Sequence, residues 1–169
     1  MWIELRAPRR DPAVYHAALS GLAHLGHPMR IVERANGTWF NVNLPTTRPA
    51  MDRALGVLQG ISRLIIRRAR KDGVQLPSLY QSGVRYVREP DGREWWQTVA
   101  DNLLTGEGDC EDLATHRAAE LNEYAGEPAI ARTVQTGKHM FHAIVERGDG
   151  TIEDPSAALG MMRTKDPYP

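Results

Sequence analysis

The chain has 169 residues, with 21 basic side chains against 21 acidic ones and a single cysteine. That length fits one domain able to bury an ordinary core without staples. Zero net charge supplies no global field toward nucleic acid, a membrane surface or acidic partners, and one cysteine excludes an internal disulfide framework. No apolar run is long enough to span a bilayer, and the charged opening Met1-Trp2-Ile3-Glu4 is no secretory leader. The expected location is therefore the cytoplasm, with no nucleic-acid or membrane partner.

Trp2 to Leu5 reads as a short strand. Asp11-Pro12 reads as an N-cap followed by proline at the first helical position, and Val14, Ala18, Leu22 and Leu25 follow at helical spacing up to Gly26. His16, His24 and His27 offer no clean i, i+4 pair and are read as surface or partly packed residues. Met29 to Glu33 and Thr38 to Leu44 are two strands, and Asn36-Gly37 between them is a hairpin signal. Residues 50 to 71 form the longest predicted helix, with Met51, Leu55, Leu58, Ile61 and Ile65 on one face. Its basic end, Arg67 to Lys71, is read as a solvated last turn whose cations complement the helix dipole.

Pro77 to Pro90 is irregular to strand-like, with Tyr80, Val84, Tyr86 and Val87 as packing residues, and Asp91-Gly92 breaks it. The segment from Trp95 leads through Leu103-Leu104 into Gly106-Glu107-Gly108-Asp109-Cys110-Glu111-Asp112. From Cys110, the positions Leu113, Ala114, Ala118 and Leu121 fall on one helical stripe that runs to about Tyr124 and stops at Gly126. The thiol thus stands at a helix N-terminus, where backbone amides favour a thiolate. Strands follow at 128–134, 139–147 and 151–154, the last two joined by the turn Gly148-Asp149-Gly150. The order Cys110, His142, Asp154, on a helix and then on the sheet it packs against, is a workable nucleophile, base and orienter. His139 competes with His142, but residues three apart on a strand face opposite sides. His116 is read as a helix-surface residue. The tail after Gly160 is expected to be poorly ordered.

Trp96-Gln97-Thr98, a short helical span, and then Gly106-Glu107-Gly108-Asp109-Cys110-Glu111-Asp112 together resemble the bacterial transglutaminase-like cysteine proteinases. These belong to the wider transglutaminase-like, papain-related superfamily. His142-Ala143 with the apolar residues after it, and Asp154-Pro155, resemble that superfamily's histidine and aspartate strands. The likeness covers roughly residues 80 to 156, and small proteins of this look are familiar from tailed-phage and prophage genomes. It implies an α+β fold with a papain-like core in which the cysteine helix packs on an antiparallel sheet. Residues 76–160 would be the catalytic core, 1–75 an N-terminal α+β extension probed by no motif, and 161–169 a tail.

The resemblance also assigns roles. Cys110 would be the nucleophile, His142 the general base and acid, and Asp154 the orienter of the imidazole, acting on a protein or peptide amide through a thioacyl intermediate. The Cys110 N–H would be one oxyanion donor, and Gln97 or Trp96 a candidate second. No cofactor is required. Asp109, Glu111 and Asp112 oppose thiolate formation by their charge; they are read first as helix caps and second as ligands of a calcium ion, which the family's calcium-dependent members hold with acids flanking the cysteine. Two rivals stand beside hydrolysis: acyl transfer to an amine, as in a transglutaminase, and a non-catalytic assembly or binding module in contact with phage structural proteins, in which case the protein would be phage-encoded and virion-associated.

Overall fold

The computed structural model describes residues 1–7, 12–24, 26–90, 94–137 and 140–161, without the side chains of Pro12 and Val14. The expected cap Asp11, Leu25, the Asp91-Gly92 break, His139 and the end of the tail lie outside the described residues. The fold is mixed α+β with two antiparallel three-stranded sheets. Among the described residues no helix is long and apolar enough to cross a membrane.

The first sheet has the order β1 (Trp2–Ala7), β3 (Gly37–Asn43), β2 (Met29–Arg34). Asn36 and Gly37 make the tight turn of the β2–β3 hairpin, as their sequence demands. Strand alternation sends Ile3, Leu5 and Ala7 of β1, with Phe40 and Val42 of β3, into the core. There they meet Tyr15, Leu19 and Leu22 of α1 (Pro12–His24) and Leu55, Leu58 and Ile61 of α2 (Arg48–Lys71). The free edge of β1 is covered by the segment 94–96, through Glu4 N–H to the Glu94 carbonyl at 2.7 Å and Trp96 N–H to the Glu4 carbonyl at 2.8 Å.

The second sheet has the order β6 (Ala129–Gly137), β7 (Met140–Arg147), β8 (Ile152–Glu153). Its exposed flank at β6 is closed by side chains of α2. Gln59 donates to the Ala129 carbonyl at 2.9 Å and accepts from Ala131 N–H at 3.0 Å. One heptad earlier, Asp52 accepts from Thr133 N–H at 2.7 Å. An amphipathic helix thereby finishes the hydrogen-bond ladder of a strand that would otherwise be an open edge. The arginines at the end of α2 are engaged rather than gathered for phosphate: Arg63 and Arg67 pair with Glu123, and Arg68 with Asp72.

Helix α4 (Cys110–Glu120) lies at the centre, touching α2, α3 (Val99–Thr105), β6, β7 and α5 (Pro155–Ala158). Alanines 114 and 118 on the helix and 129, 131 and 143 on the sheet let the two layers approach closely. The same cluster contains residues from both halves of the chain, so residues 1–75 share one core with the rest. The helix becomes a single π-helical turn over Leu121–Ala125 before Gly126 closes it in the left-handed conformation, at φ 65°. Three short elements went unforeseen, namely a 3-10 turn at Leu79–Gln81, the one-turn α5 and the two-residue parallel bridge of β4 (Arg85–Tyr86) with β5 (Glu107–Gly108). Of the residues expected to pack in 77–90, Val84 is buried, whereas Tyr80 and Val87 are exposed.

Candidate active site

The glycine-broken loop before Cys110 is shaped by two separate requirements. Gly106 ends α3 with φ at 74°, which glycine adopts without a Cβ penalty. Gly108 is needed for space: a Cβ there would lie 3.1 Å from Asp112 Cβ and 3.2 Å from Asn102 Oδ1. Asp109 then caps α4 and forms a capping box with Asp112, whose Oδ2 accepts from Asp109 N–H at 3.2 Å.

Asp112 does more than cap. Its Oδ1 accepts from Gln97 N–H at 2.7 Å, and its Oδ2 is within 3.3 Å of Gln97 Nε2. Both oxygens are therefore engaged in joining the 96–98 segment to the start of α4. Gln97 is fixed at its other end too, where Oε1 accepts from Thr105 at 3.1 Å. Gln97 is thus a strut in this structure, with its amide turned to Asp112. Trp96 is a core residue, 1% exposed, and its indole N–H is directed to the Glu94 carboxylate.

Cys110 is the first residue of α4 and packs against the main core with Ala114 and Ala118 behind it. Its thiol lies 3.3 Å from Glu111 Oε2 and receives a hydrogen bond from the backbone of Ala143 on β7. The residue before Ala143 is His142, buried on β7, whose Nε2 is 3.1 Å from Asp154 Oδ2. Asp154 itself is held as the N-cap of α5, its Oδ1 accepting from Ala157 N–H at 3.1 Å. The histidine and the aspartate are therefore in contact, and the thiol abuts the same strand at the adjacent residue. Among the described residues no hydrogen bond joins Cys110 to His142; the thiol's partners are Glu111 and Ala143.

The acids set the electrostatics. Burial first, and then the carboxylates of Glu111 and Asp109, push the Cys110 thiol well above its usual range. Burial likewise raises Glu111 to about 8 and, helped by Glu111, raises Asp109 to about 11. The two carboxyls hydrogen-bond each other, which needs a shared proton. Asp109 Oδ1 and Glu111 Oε1 nevertheless find no N–H or O–H donor among the described residues. Donor atoms of Asp109, Cys110 and Glu111 lie within 4.8 Å of one another. Such orphaned oxygens fit a proton or a hard cation, whereas Asp112, the third acid considered for calcium, has no oxygen to spare.

His116 corrects the sequence reading. It is 1% exposed rather than on the surface, with Nδ1 3.4 Å from Asn102 Nδ2. Burial, and then the neighbouring Arg117, lower it to about 3, so it is neutral in the folded protein. Its position six residues after Cys110 puts it on the helix face that packs under α3, a burial that single-helix periodicity does not reveal. No protein family, curated protein or solved structure matches the chain.

Proposed function

We propose that the protein is a thiol-dependent amide hydrolase that acts on protein or peptide substrates through Cys110, His142 and Asp154, on a papain-like core. The observation that carries this reading is the His142–Asp154 pair, 3.1 Å apart, on the strand whose next residue bonds the Cys110 thiol. With Nε2 turned to Asp154, Nδ1 is the ring nitrogen left to take a proton from the thiol, the arrangement a general base requires. The packing of α4 on the antiparallel sheet β6–β7–β8 supports the fold assignment.

In the reaction His142 takes the Cys110 proton and the thiolate attacks the amide carbonyl. The Cys110 N–H, at the open start of α4, is the donor on hand for the oxyanion. Collapse expels the amine with the proton from His142 and leaves a thioester. His142 then deprotonates water, whose attack releases the acid and restores the thiol. The ground state resists the first step, because Glu111 and Asp109 disfavour thiolate. A calcium ion held by Asp109 and Glu111 would supply positive charge there and offset that opposition.

The test uses an alkyne-tagged iodoacetamide and a fluorogenic casein substrate. Cys110→Ala should lose labelling and hydrolysis together while keeping its far-UV circular dichroism. His142→Ala should slow both by about 10²- to 10⁴-fold. Labelling indifferent to the loss of His142 would sink the triad.

A further inference from the structure

The outer face of the first sheet does not look like an ordinary solvated surface. Alternation places Trp2, Glu4 and Arg6 of β1, Trp39 and Asn41 of β3, and Arg30, Val32 and Arg34 of β2 on the side away from the core. Glu89, Pro90, Glu94 and Trp95 stand beside this face and with it line a cavity of about 920 Å³, a size typical of ligand sites. Three of the chain's four tryptophans line it, Trp95 beside Trp39 at 5.9 Å between ring centres.

Each indole is matched by an arginine. Arg30 lies over Trp2 at 5.0 Å, Arg34 over Trp39 at 4.4 Å and Arg6 over Trp95 at 5.8 Å. With a guanidinium on each ring, the indoles are poorly placed as open platforms for sugars or bases. What they do is fix the arginines, leaving planar N–H edges to receive an anion. Arg6 already pairs with Asp101, and Arg34 with Glu4 at 3.0 Å. Arg30 has no carboxylate partner among the described residues, so the unspent positive charge sits at the β2 end. At the opposite end Glu89 and Glu94 line the cavity, and both act on the Asp109 carboxyl beside Cys110. The charge of the groove is therefore divided end to end, with Glu89 and Glu94 across the sheet from Arg30 and Arg34. A polyanion such as nucleic acid would meet Glu4, Glu89 and Glu94 along the way; a polypeptide with one carboxylate would not.

We infer that this groove holds the substrate polypeptide, in extended form, with an acidic side chain seated at Arg30 and Arg34. That the polypeptide is a substrate rests on the hydrolase reading; that one binds here does not. Substrate selection is thereby assigned to the outer face of the first sheet with Glu89 and Glu94, and complementary charge supplies the discrimination.

Binding is measured by fluorescence anisotropy on the full chain carrying Cys110→Ala, so that chemistry plays no part. The probes are positional-scanning libraries of labelled octapeptides, with each position fixed in turn as Glu, Gln or Lys. At one position Glu should bind at least tenfold more tightly than Gln. Arg30→Gln with Arg34→Gln should erase that preference, and Val32→Glu, which keeps both arginines and adds a repelling carboxylate, should reverse it. Equal binding of Glu and Gln peptides at every position, a preference that survives the double arginine change, or tighter binding of a single-stranded oligonucleotide would each overturn the assignment. Absence of hydrolysis by the unsubstituted protein alongside a clear Glu preference would reject the catalytic reading and leave the groove standing.

Discussion

Replacing Glu111 by glutamine should make Cys110 more reactive. The two groups are 3.3 Å apart, so a thiolate would sit directly against a carboxylate. At that distance two like charges repel by about 1 kcal/mol in water and about 5 kcal/mol at an effective dielectric of ~20. Every 1.4 kcal/mol or so is a tenfold change in the thiolate population, but a thiolate made more stable is also less nucleophilic, by roughly half on a logarithmic scale. Alkylation by iodoacetamide, followed by mass spectrometry in EDTA, should therefore quicken by about threefold at the aqueous limit and about seventyfold at the interior limit. The gain must also depend on pH. Glu111 titrates near 8, so below that pH it is largely neutral and glutamine changes little; above it the full repulsion is present and the gain is largest. Glu111 is 7% exposed and glutamine is nearly isosteric, so the helix start should survive. A rate that is unchanged or slower at pH 9, with the fold intact, would refute the claim that this carboxylate holds the thiol neutral.

Calcium and His116 give two further tests. If Asp109 and Glu111 hold calcium, 1 mM calcium should speed alkylation of the unsubstituted protein relative to EDTA, and Glu111→Gln should abolish the difference; equal rates in both buffers would dismiss the ion. His116 has a folded pKa of about 3, below its unfolded value of about 6.5. Its contribution to stability is complete above the unfolded value and is lost as pH falls from 6.5 toward 3, by about 1.4 kcal/mol per pH unit and about 5 kcal/mol in all. Urea midpoints between pH 7 and 4 should accordingly fall less steeply in His116→Gln than in the unsubstituted chain, and parallel profiles would mean that the histidine is not buried neutral.

The long-range contacts explain what the sequence could and could not reveal. Period-3.6 patterning placed α2 and the face Leu55, Leu58, Ile61, because an amphipathic helix carries its burial in its own spacing. Asn36-Gly37 marked its hairpin for the same local reason. The burial of His116 and Glu111 depends instead on α3 and the 96–98 segment closing over α4, which no window of the sequence contains. Gln97 was legible as a residue near the cysteine, but its hydrogen bonds to Asp112 and Thr105, which tie the 96–98 segment to α4 and α3, were not. The outer groove was invisible because its tryptophans stand at 2, 39 and 95 and meet only through the pairing of β1 with β3 and with residues 94–96. The signal available was alternation: Trp39 and Asn41 out of phase with Phe40 and Val42 marks a sheet face on which an aromatic is left outside the core.

The acids beside the cysteine, which look like one feature in the sequence, divide into two in the structure. Asp112 serves the fold, since four hydrogen-bonding groups of residues 97 and 109 converge on its carboxyl or its helix turn, and its removal would loosen the link between the 96–98 segment and α4. Asp109 caps α4, yet it and Glu111 each keep a buried oxygen that meets no donor among the described residues. Burying such groups costs stability, and they also raise the thiol they flank. Both costs fall at Cys110, which these acids hold as a thiol in the resting protein. Neutralise the two carboxyls, by proton or by cation, and burial is the main barrier left to the thiolate.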